Sequence, residues 1–458
     1  MYDYFTIIIL SILLPHGPEG IERNSVQTIS VFKLKLLSSQ VQWDEGKTYA
    51  EIAQFYARYA KSLIDYDRSG KGVVVFDGYC NSTKDHEHGN RQGLGYREVE
   101  VTGNKKVMIS KTKFLLNSKN KDGLIKLIID ACRELGIAGE QALSDADTLI
   151  TKRAVELSTE GPVNVIANDT DILVLLIYHR QSFKNFVFLT SNEKSYDICQ
   201  IASSMTDREK RLILLIHSYS GCDTVSAVFG YGKKKFLNLI NDGKRVPREI
   251  LHPFTAENST KEAIQENGIK LLELMFRKGQ SQNEEIPQTG KRRGRKRCKG
   301  NQPAKESSSA TKHLNLGDLR LLAYTEMCAK GKIQPERLPP TEGAAAQHSL
   351  QAFLQIHDWM TLRTTSLNPL EFGWQRKSPE EVFEPIGSLE PIAPEKLRNL
   401  ISCGCKTGCE KNQCSCRKNN IKCMTSCSFC RGTECTNSQR AETNNVEIDA
   451  DSDSEDEN

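Results

Sequence analysis

The sequence predicts an α/β fold, a three-layer sandwich with a mostly parallel central sheet, followed by a helical segment and a small cysteine-rich module. Short apolar segments alternate with longer segments whose apolar residues recur at helical spacing. Two of the short segments, residues 73–76 and 163–166, are followed closely by aspartates. Nine of the fifteen cysteines lie between Cys403 and Cys435. A sheet with acidic residues at one edge, joined to a compact metal module, is therefore expected.

The elements follow from these patterns one by one. Fully apolar or β-branched runs bounded by glycine or polar residues predict strands, and they span residues 73–76, 163–166 and 186–189. Amphipathic or strongly apolar runs with helical periodicity predict helices, and they span residues 43–63, 124–135, 142–157, 207–219, 314–330 and 344–360. Alternation of the two kinds of element favours a parallel sheet.

Composition divides the chain into segments. With 458 residues, the length allows about three domains. We expect an N-terminal segment, an α/β domain, a basic linker, a helical and proline-rich connecting region, a cysteine module and a disordered acidic tail, at residues 1–30, 31–278, 279–312, 313–400, 401–437 and 438–458. The apolar run at residues 5–14 is too short to span a membrane, so no membrane partner is predicted. A secretory signal is the alternative, but no Lys or Arg precedes the run, which favours a buried or poorly defined segment over secretion.

Charge is segregated along the chain. The net charge is only +4, but seven of the nine residues at 291–299 are basic. From Glu442 onward there are eight acidic residues and no basic ones. The basic run is typical of a nuclear-import signal or a nucleic-acid contact, and it predicts a nuclear protein with DNA as partner. A solvated linker without a partner is the alternative.

Asp169 and Asp171 lie where a predicted strand ends and an apolar run begins. Ligands of open α/β sheets bind at this edge, so the pair is a candidate metal site. The alternative is that Asp169 caps a helix and Asp171 is an acid of its first turn. These two residues alone leave both interpretations open.

Six aspartates follow apolar strands or stand at helix boundaries: Asp77, Asp145, Asp147, Asp169, Asp171 and Asp223. Hard cations such as Mg²⁺ and Mn²⁺ prefer oxygen ligands, and two such ions stabilise both the attacking and the leaving oxygen of a phosphodiester. For Asp145 and Asp147, the alternative is a capping box with Ser144. In the loop after residue 78, Lys84 and Arg91 are candidate phosphate contacts.

The ordered motifs VVVFDGY, SDADTLI, NDTD and SGCDTVSAVFGYGKKKFLNLI resemble the flap-endonuclease branch of the PIN-like nucleases over residues 40–245. The resemblance implies a PIN-like fold, a metal-dependent nuclease activity carried by the six aspartates, and a glycine hairpin and helix that grip a duplex backbone through Gly230, Gly232 and Lys233. It also implies an aspartate at the end of the first strand. The stretch VFKLKLLSSQVQW has none, and Lys33 or a neighbour stands there, which would repel a cation. The sequence is therefore compatible with an active nuclease and with a catalytically inactive DNA-binding scaffold.

The cysteine module has the spacing C-x-C-x3-C-x4-C-x-C-x6-C-x3-C-x2-C-x4-C. Its candidate metal ligands are Cys403, Cys405, Cys409, Cys414, Cys416, Cys423, Cys427, Cys430 and Cys435. Zn²⁺ takes four ligands, so nine thiolates serve about three ions if three of them bridge. Disulfides are disfavoured because the number of cysteines is odd and Cys-x-Cys pairs are awkward to bridge.

The segments CGCKTGC and CSCRKNNIKC resemble the tesmin-type CXC domain. The resemblance implies a zinc-stabilised DNA-binding module. Lys406, Arg417 and Lys418 are among the basic residues that supply its positive charge. A PIN-like region followed by a CXC module also resembles a group of mobile-element-derived animal proteins.

Overall fold

The computed structural model describes residues 27–34, 41–44, 46–66, 70–78, 83, 97–191, 194–241, 246–256, 258–277, 314–329, 334–364, 367–376, 383–388, 402–406, 408–419, 421–423, 427–433 and 435–438. They fall in two compact units, Met1–Gly387 and Ser388–Asn458. The apolar run at 5–14, the basic run at 291–299 and the acidic tail lie outside these ranges. Among the described residues, no helix is long and apolar enough to cross a membrane.

The first unit is built on a six-stranded sheet in the order β3-β2-β1-β4-β5-β6. Its strands are β1 (Ile29–Lys33), β2 (Lys71–Phe76), β3 (Ala138–Gln141), β4 (Val163–Ile166), β5 (Val187–Ser191) and β6 (Lys194–Asp197). Neighbouring strands from β3 to β5 are parallel, and β6 alone pairs antiparallel with β5. The predicted α/β class with a mostly parallel sheet is confirmed.

The helices follow the strands in alternation. They are α1 (Tyr49–Tyr66), α2 (Lys111–Phe114), α3 (Ser118–Glu134), α4 (Ala146–Leu157), α5 (Thr170–Tyr178), α6 (Ile198–Ser204), α7 (Asp207–Tyr219), α8 (Lys233–Asn241), α9 (Arg248–Leu251), α10 (Lys261–Phe276), α11 (Leu316–Ala329) and α12 (Glu342–Met360). Short 3₁₀ turns cover His179–Ser182, His252–Phe254, Pro335–Arg337 and Pro369–Glu371.

Helices cover both faces of the sheet, which makes the three layers. Successive strand residues point to opposite faces, so Phe32 and Val74 pack with α1 and α3, whereas Val31 and Val73 pack with α4, α5 and α7. Helix α5 is apolar all round and lies buried in the second of these cores, as expected for such a composition.

Two predicted helix starts and one predicted capping motif differ from the structure. The helix predicted at 142–157 begins at Ala146, because residues 138–141 form the edge strand β3. That strand has the sequence AGEQ, without the apolar run that marks a buried strand. The helix predicted from residue 43 begins at Tyr49. The capping box expected between Ser144 and Asp147 is absent: the N-cap of α4 is Asp145, and its side chain makes no capping hydrogen bond.

Helix α12 packs on α7 and α10 and belongs to the same compact unit. The contact with α10 is close at Gly268, where an added Cβ would lie 1.9 Å from the Ser349 Oγ. Further along the chain, the strands β7 (Trp374–Gln375) and β8 (Glu384–Pro385) pair antiparallel, and Trp374 is buried.

In the second unit the described residues include one short helix, α13 (Ser415–Lys418), and otherwise turns and irregular backbone. Its interior is a cluster of cysteines rather than aliphatic side chains.

Candidate functional site

The candidate site lies at the carboxyl end of the sheet, where three neighbouring parallel strands stop. Lys33 is the last residue of the central strand β1. Asp77 follows β2 directly, and Asp169 follows β4 by three residues. Because β2 and β4 flank β1, these side chains share one edge of the sheet.

Gly78 brings a second pair of acids to this edge. Its backbone N–H donates to the Ser144 carbonyl at 2.6 Å, and a Cβ at this position would lie 2.1 Å from the Ala142 carbonyl oxygen. Only glycine allows this approach, which sets the start of α4 against the end of β2. The Asp77 Oδ1 then accepts a hydrogen bond of 3.2 Å from the Ala146 N–H, the first amide of α4.

Asp145 and Asp147 lie in the first turn of α4 or immediately before it, and both carboxylates are buried, Asp147 completely. Burial of an ionised carboxylate is strongly unfavourable unless a partner compensates its charge. The positive end of the α4 dipole supplies part of that compensation.

Lys33 supplies the rest from the centre of the group. Its Nζ donates to the Asp147 Oδ1 at 2.9 Å and lies 3.1 Å from the Asp77 Oδ1. Oxygens of Asp169 and Asp145 lie 3.8 and 4.0 Å from the same nitrogen. The lysine that the sequence places in the position of an expected aspartate is thus in contact with the acids.

The positions of Asp169 and Asp171 are compatible with both of the roles considered for them, helix capping and metal binding. Asp169 is the N-cap of α5, and its Oδ1 accepts from the Asp171 N–H at 3.2 Å. Its other oxygen, Oδ2, faces Lys33. Asp171 is an acid of the first turn and is buried. Carboxylate oxygens of Asp147, Asp169 and Asp171 all lie within 4.8 Å of one another, close enough to share a cation.

His217 on α7 holds Asp171 in place. Its Nε2 donates to the Asp171 Oδ1 at 2.7 Å, and its ring packs against Trp359 with a centroid separation of 5.5 Å. Burial and the nearby Lys233 charge lower the pKa of His217, although the contact with Asp171 opposes them. The histidine is therefore neutral at neutral pH. His217 was not among the predicted site residues; the available signal was a histidine directly after the apolar run of α7.

The remaining predicted residues of the first unit lie around this centre or outside the described ranges. Asp223 is exposed in the loop after α7 and is not a member of the compact acidic group. Its charge nevertheless acts on His217 and Lys233. Lys84 and Arg91 lie outside the described residues.

Gly230 and Gly232 are exposed before α8, and Gly230 has a φ of 76°. Lys233 turns inward instead of facing solvent, and its Nζ donates to the carbonyls of Gly221 and His217 at 2.8 and 3.1 Å. Burial lowers the pKa of Lys233. The exposed lysines at this helix start are Lys234 and Lys235.

In the second unit, eight of the nine cysteines are buried together with the partly buried Cys405. Sulfur–sulfur distances include 3.8 Å for Cys403–Cys409 and 3.5 Å for Cys416–Cys427. Disulfide sulfurs are about 2.05 Å apart, whereas two ligands of a tetrahedral Zn²⁺ with bonds of about 2.3 Å are about 3.8 Å apart. Among the residues that the structure describes, three four-cysteine groups have metal-ligand spacing, and all three contain Cys403. The sulfurs therefore fit a metal cluster with shared ligands.

Arg417 stabilises the backbone of this cysteine unit. Its Nε donates to the Cys409 carbonyl at 2.8 Å and its Nη2 to the Thr436 carbonyl at 3.3 Å. Lys406 and Lys418 are exposed, and the Lys406 Nζ lies 5.9 Å from the centre of the exposed Phe429 ring. Of these predicted basic residues, the two lysines are the ones that face solvent.

No family model matches the chain, and no curated protein matches it. Among solved structures, the chain is similar to a T5 5'-exonuclease mutant, with a TM-score of 0.30 and 14% identity over 55% of this chain and 86% of that one. The T5 D15 protein co-crystallised with metal ions gives a TM-score of 0.32 and 15% identity over 73% and 99%. The catalytic core of Rad2 in complex with DNA substrate gives 0.31 and 12% over 50% and 66%. Likenesses this low carry no inference about activity.

Proposed function

We propose that the first unit is a metal-dependent phosphodiesterase acting on nucleic acid, with a PIN-like, flap-endonuclease type of site. The observation that supports it is the compact group of Asp147, Asp169 and Asp171 at the carboxyl end of a parallel sheet. Oxygen ligands in such a group suit Mg²⁺ or Mn²⁺. A bound ion would supply an activated water and stabilise charge on a leaving oxygen.

The chain's own residues have separate parts in this proposal. Asp147, Asp169 and Asp171 would hold the ion, and His217 orients Asp171. Asp77 and Lys33 form the opposite side of the centre. The exposed backbone at Gly230 and Gly232 and the lysines that follow suit contact with a phosphate backbone, because free amides at a helix start attract anions.

We further propose that the cysteine unit is a CXC-type module that binds about three Zn²⁺ and contacts DNA. The sulfur distances support the metal, and the exposed Lys406 and Lys418 support the contact with phosphate. Together with the basic run at 291–299, this favours a nuclear, DNA-binding protein.

A second candidate function is favoured by one specific observation. Lys33 places a positive charge within 4.0 Å of four carboxylates, and that charge opposes a divalent cation in the same space. Under this alternative the first unit is a catalytically inactive scaffold, and DNA binding through the cysteine unit is the function.

Cleavage by the purified full chain tests the first proposal. Flap, single-stranded and duplex DNA are incubated with Mn²⁺, and the matched control is an Asp169→Asn/Asp171→Asn double variant. Cleavage above the double variant is expected. Equal cleavage rates for the two proteins would contradict the phosphodiesterase proposal and favour the catalytically inactive scaffold.

Binding is measured separately. A Lys406→Gln/Lys418→Gln variant should weaken DNA binding and flatten its salt dependence by about two charges. A Lys71→Met variant, which removes an exposed lysine of the first unit paired with Glu160 at 3.0 Å, should bind DNA like the unaltered protein. Unchanged affinity in the double variant would contradict the contact, and a metal content far below three Zn²⁺ per chain would contradict the cluster.

Nuclear accumulation of the tagged chain, lost when residues 291–299 are replaced, tests the location.

A further inference from the structure

Lys33 has an unusual environment for a lysine. Its side chain is only 11% exposed, although Lys33 is the last residue of the central strand β1, at the carboxyl end of the sheet. The Leu34 N–H donates to the Val75 carbonyl, so β1 and β2 stay paired up to this point. The backbone therefore fixes the origin of the side chain, and its ammonium ends between Asp77 and Asp147, at 3.1 and 2.9 Å.

That position is one a cation would be expected to fill. Two of the surrounding carboxylates, those of Asp145 and Asp147, have side chains only 1% exposed. Buried carboxylates in such numbers repel one another unless a positive charge lies among them. An ammonium supplies one positive charge and three donors, and it is tethered to the chain.

We propose that the Lys33 ammonium is a built-in cation that takes the place of one divalent ion in the acidic site. It follows that the first unit folds without a divalent ion at this site. A second consequence rests on the proposed function: Asp147, Asp169 and Asp171 bind one exchangeable divalent ion per chain. Two-metal sites hold ions about 3.5–4 Å apart, and here the ammonium fills the space between Asp77 and Asp147.

The experiment varies the charge at position 33 while keeping a long aliphatic side chain. Lys33→Met removes the ammonium, Lys33→Arg retains a positive charge, and Lys71→Met is the control at an exposed ion pair. Mn²⁺ bound to the full chain is counted by electron paramagnetic resonance, which does not detect Zn²⁺. Thermal unfolding is followed with and without added Mn²⁺, and no chelator is used because it would remove zinc from the cysteine unit.

Lys33→Met should lower the melting temperature without Mn²⁺, and Mn²⁺ should restore it. Its Mn²⁺ affinity should rise about tenfold or more, because a repelling charge has left a site of carboxylates. Lys33→Arg and Lys71→Met should resemble the unaltered protein. A Lys33→Asp variant, which adds a ligand, should bind one Mn²⁺ more than the unaltered chain.

Equal Mn²⁺ affinity and equal melting temperature in Lys33→Met and the unaltered protein would overturn the inference. If Lys33→Met folds only when Mn²⁺ is present during purification, the inference is supported; if it fails to fold under both conditions, it is overturned. The outcome is separable from that of the proposed function. Absence of cleavage together with the expected Mn²⁺ responses would refute the phosphodiesterase and leave Lys33 as a built-in cation.

Discussion

Acidification should destabilise the first unit through His348, a buried residue of α12. Its Nε2 donates to the Tyr219 carbonyl at 3.1 Å, and its Nδ1 accepts from the Ser226 hydroxyl at 3.2 Å. Both bonds suit a neutral imidazole. Burial lowers the pKa of His348 from 6.5 to about 4, although the bond to Tyr219 opposes the shift.

The sign of the effect follows from proton binding. Between pH 6.5 and about 4 the unfolded chain protonates this histidine and the folded chain does not, so acid favours the unfolded state. The stabilisation is fully present above pH 6.5 and is lost as the pH falls through the folded pKa. A shift from 6.5 to about 4 corresponds to about 3 kcal/mol at about 1.4 kcal/mol per unit.

Urea unfolding of the full chain between pH 7.5 and 4 measures this loss, with His348→Gln as the comparison. The difference in unfolding free energy between the two proteins should shrink by about 3 kcal/mol across this range, because the variant lacks the titrating group. Other titrating groups are common to both proteins and cancel. A difference that stays constant with pH would refute the reasoning, since it would mean that His348 takes up its proton in the folded state.

Three further predictions concern packing, the acidic site and the metal module. Gly268→Ala should cost about 1–3 kcal/mol in urea unfolding, because its new methyl group meets the Ser349 Oγ at 1.9 Å, whereas Gly161→Ala, with open space around it, should be nearly neutral. His217→Phe should cost about 1.5–3 kcal/mol by removing the hydrogen bond that the imidazole donates to the buried Asp171 carboxylate, and a double-mutant cycle with Asp171→Ala should show coupling; additive free energies would contradict the interaction. Prolonged chelation should release about three Zn²⁺ and abolish the folded spectrum of the cysteine unit, and a unit that stays folded after complete zinc loss would contradict the metal core.

The parallel sheet and the convergence of acids were predictable because their signals are local. A short apolar run followed by an aspartate, as at Asp77 and Asp169, specifies both a buried strand and the edge at which its polar residue emerges. Strand β3 gives no such signal. It is an edge strand whose residues are exposed or half-buried, so its sequence carries no apolar pattern, and its pairing with β2 is decided by tertiary contact.

The partners of the acids were harder to predict because they come from distant parts of the chain. Lys33 meets Asp147 across 114 residues, and His217 meets Asp171 across 46. The sequence showed that a lysine stood near an expected acid, but it did not show whether the side chain pointed into the group. That depends on the strand register, in which Lys33 pairs with Val75 immediately before the β2 strand ends. Similarly, Lys233 looked like a phosphate contact from its glycine neighbours, yet it bonds to the carbonyls of Gly221 and His217.

Helix capping and a place in the acidic site were alternative interpretations of the aspartates, and the structure shows that they are compatible. A carboxylate has two oxygens, and Asp169 uses Oδ1 for the first turn of α5 and Oδ2 toward Lys33. Asp77 uses a single oxygen, Oδ1, both to accept from the first amide of α4 and to contact Lys33. Two helix starts therefore hold the acids at the centre before any divalent ion arrives. Because the same carboxylates cap helices and surround the ammonium, the geometry of the site is part of the fold itself, which is why Lys33 and not a metal is expected to set its stability.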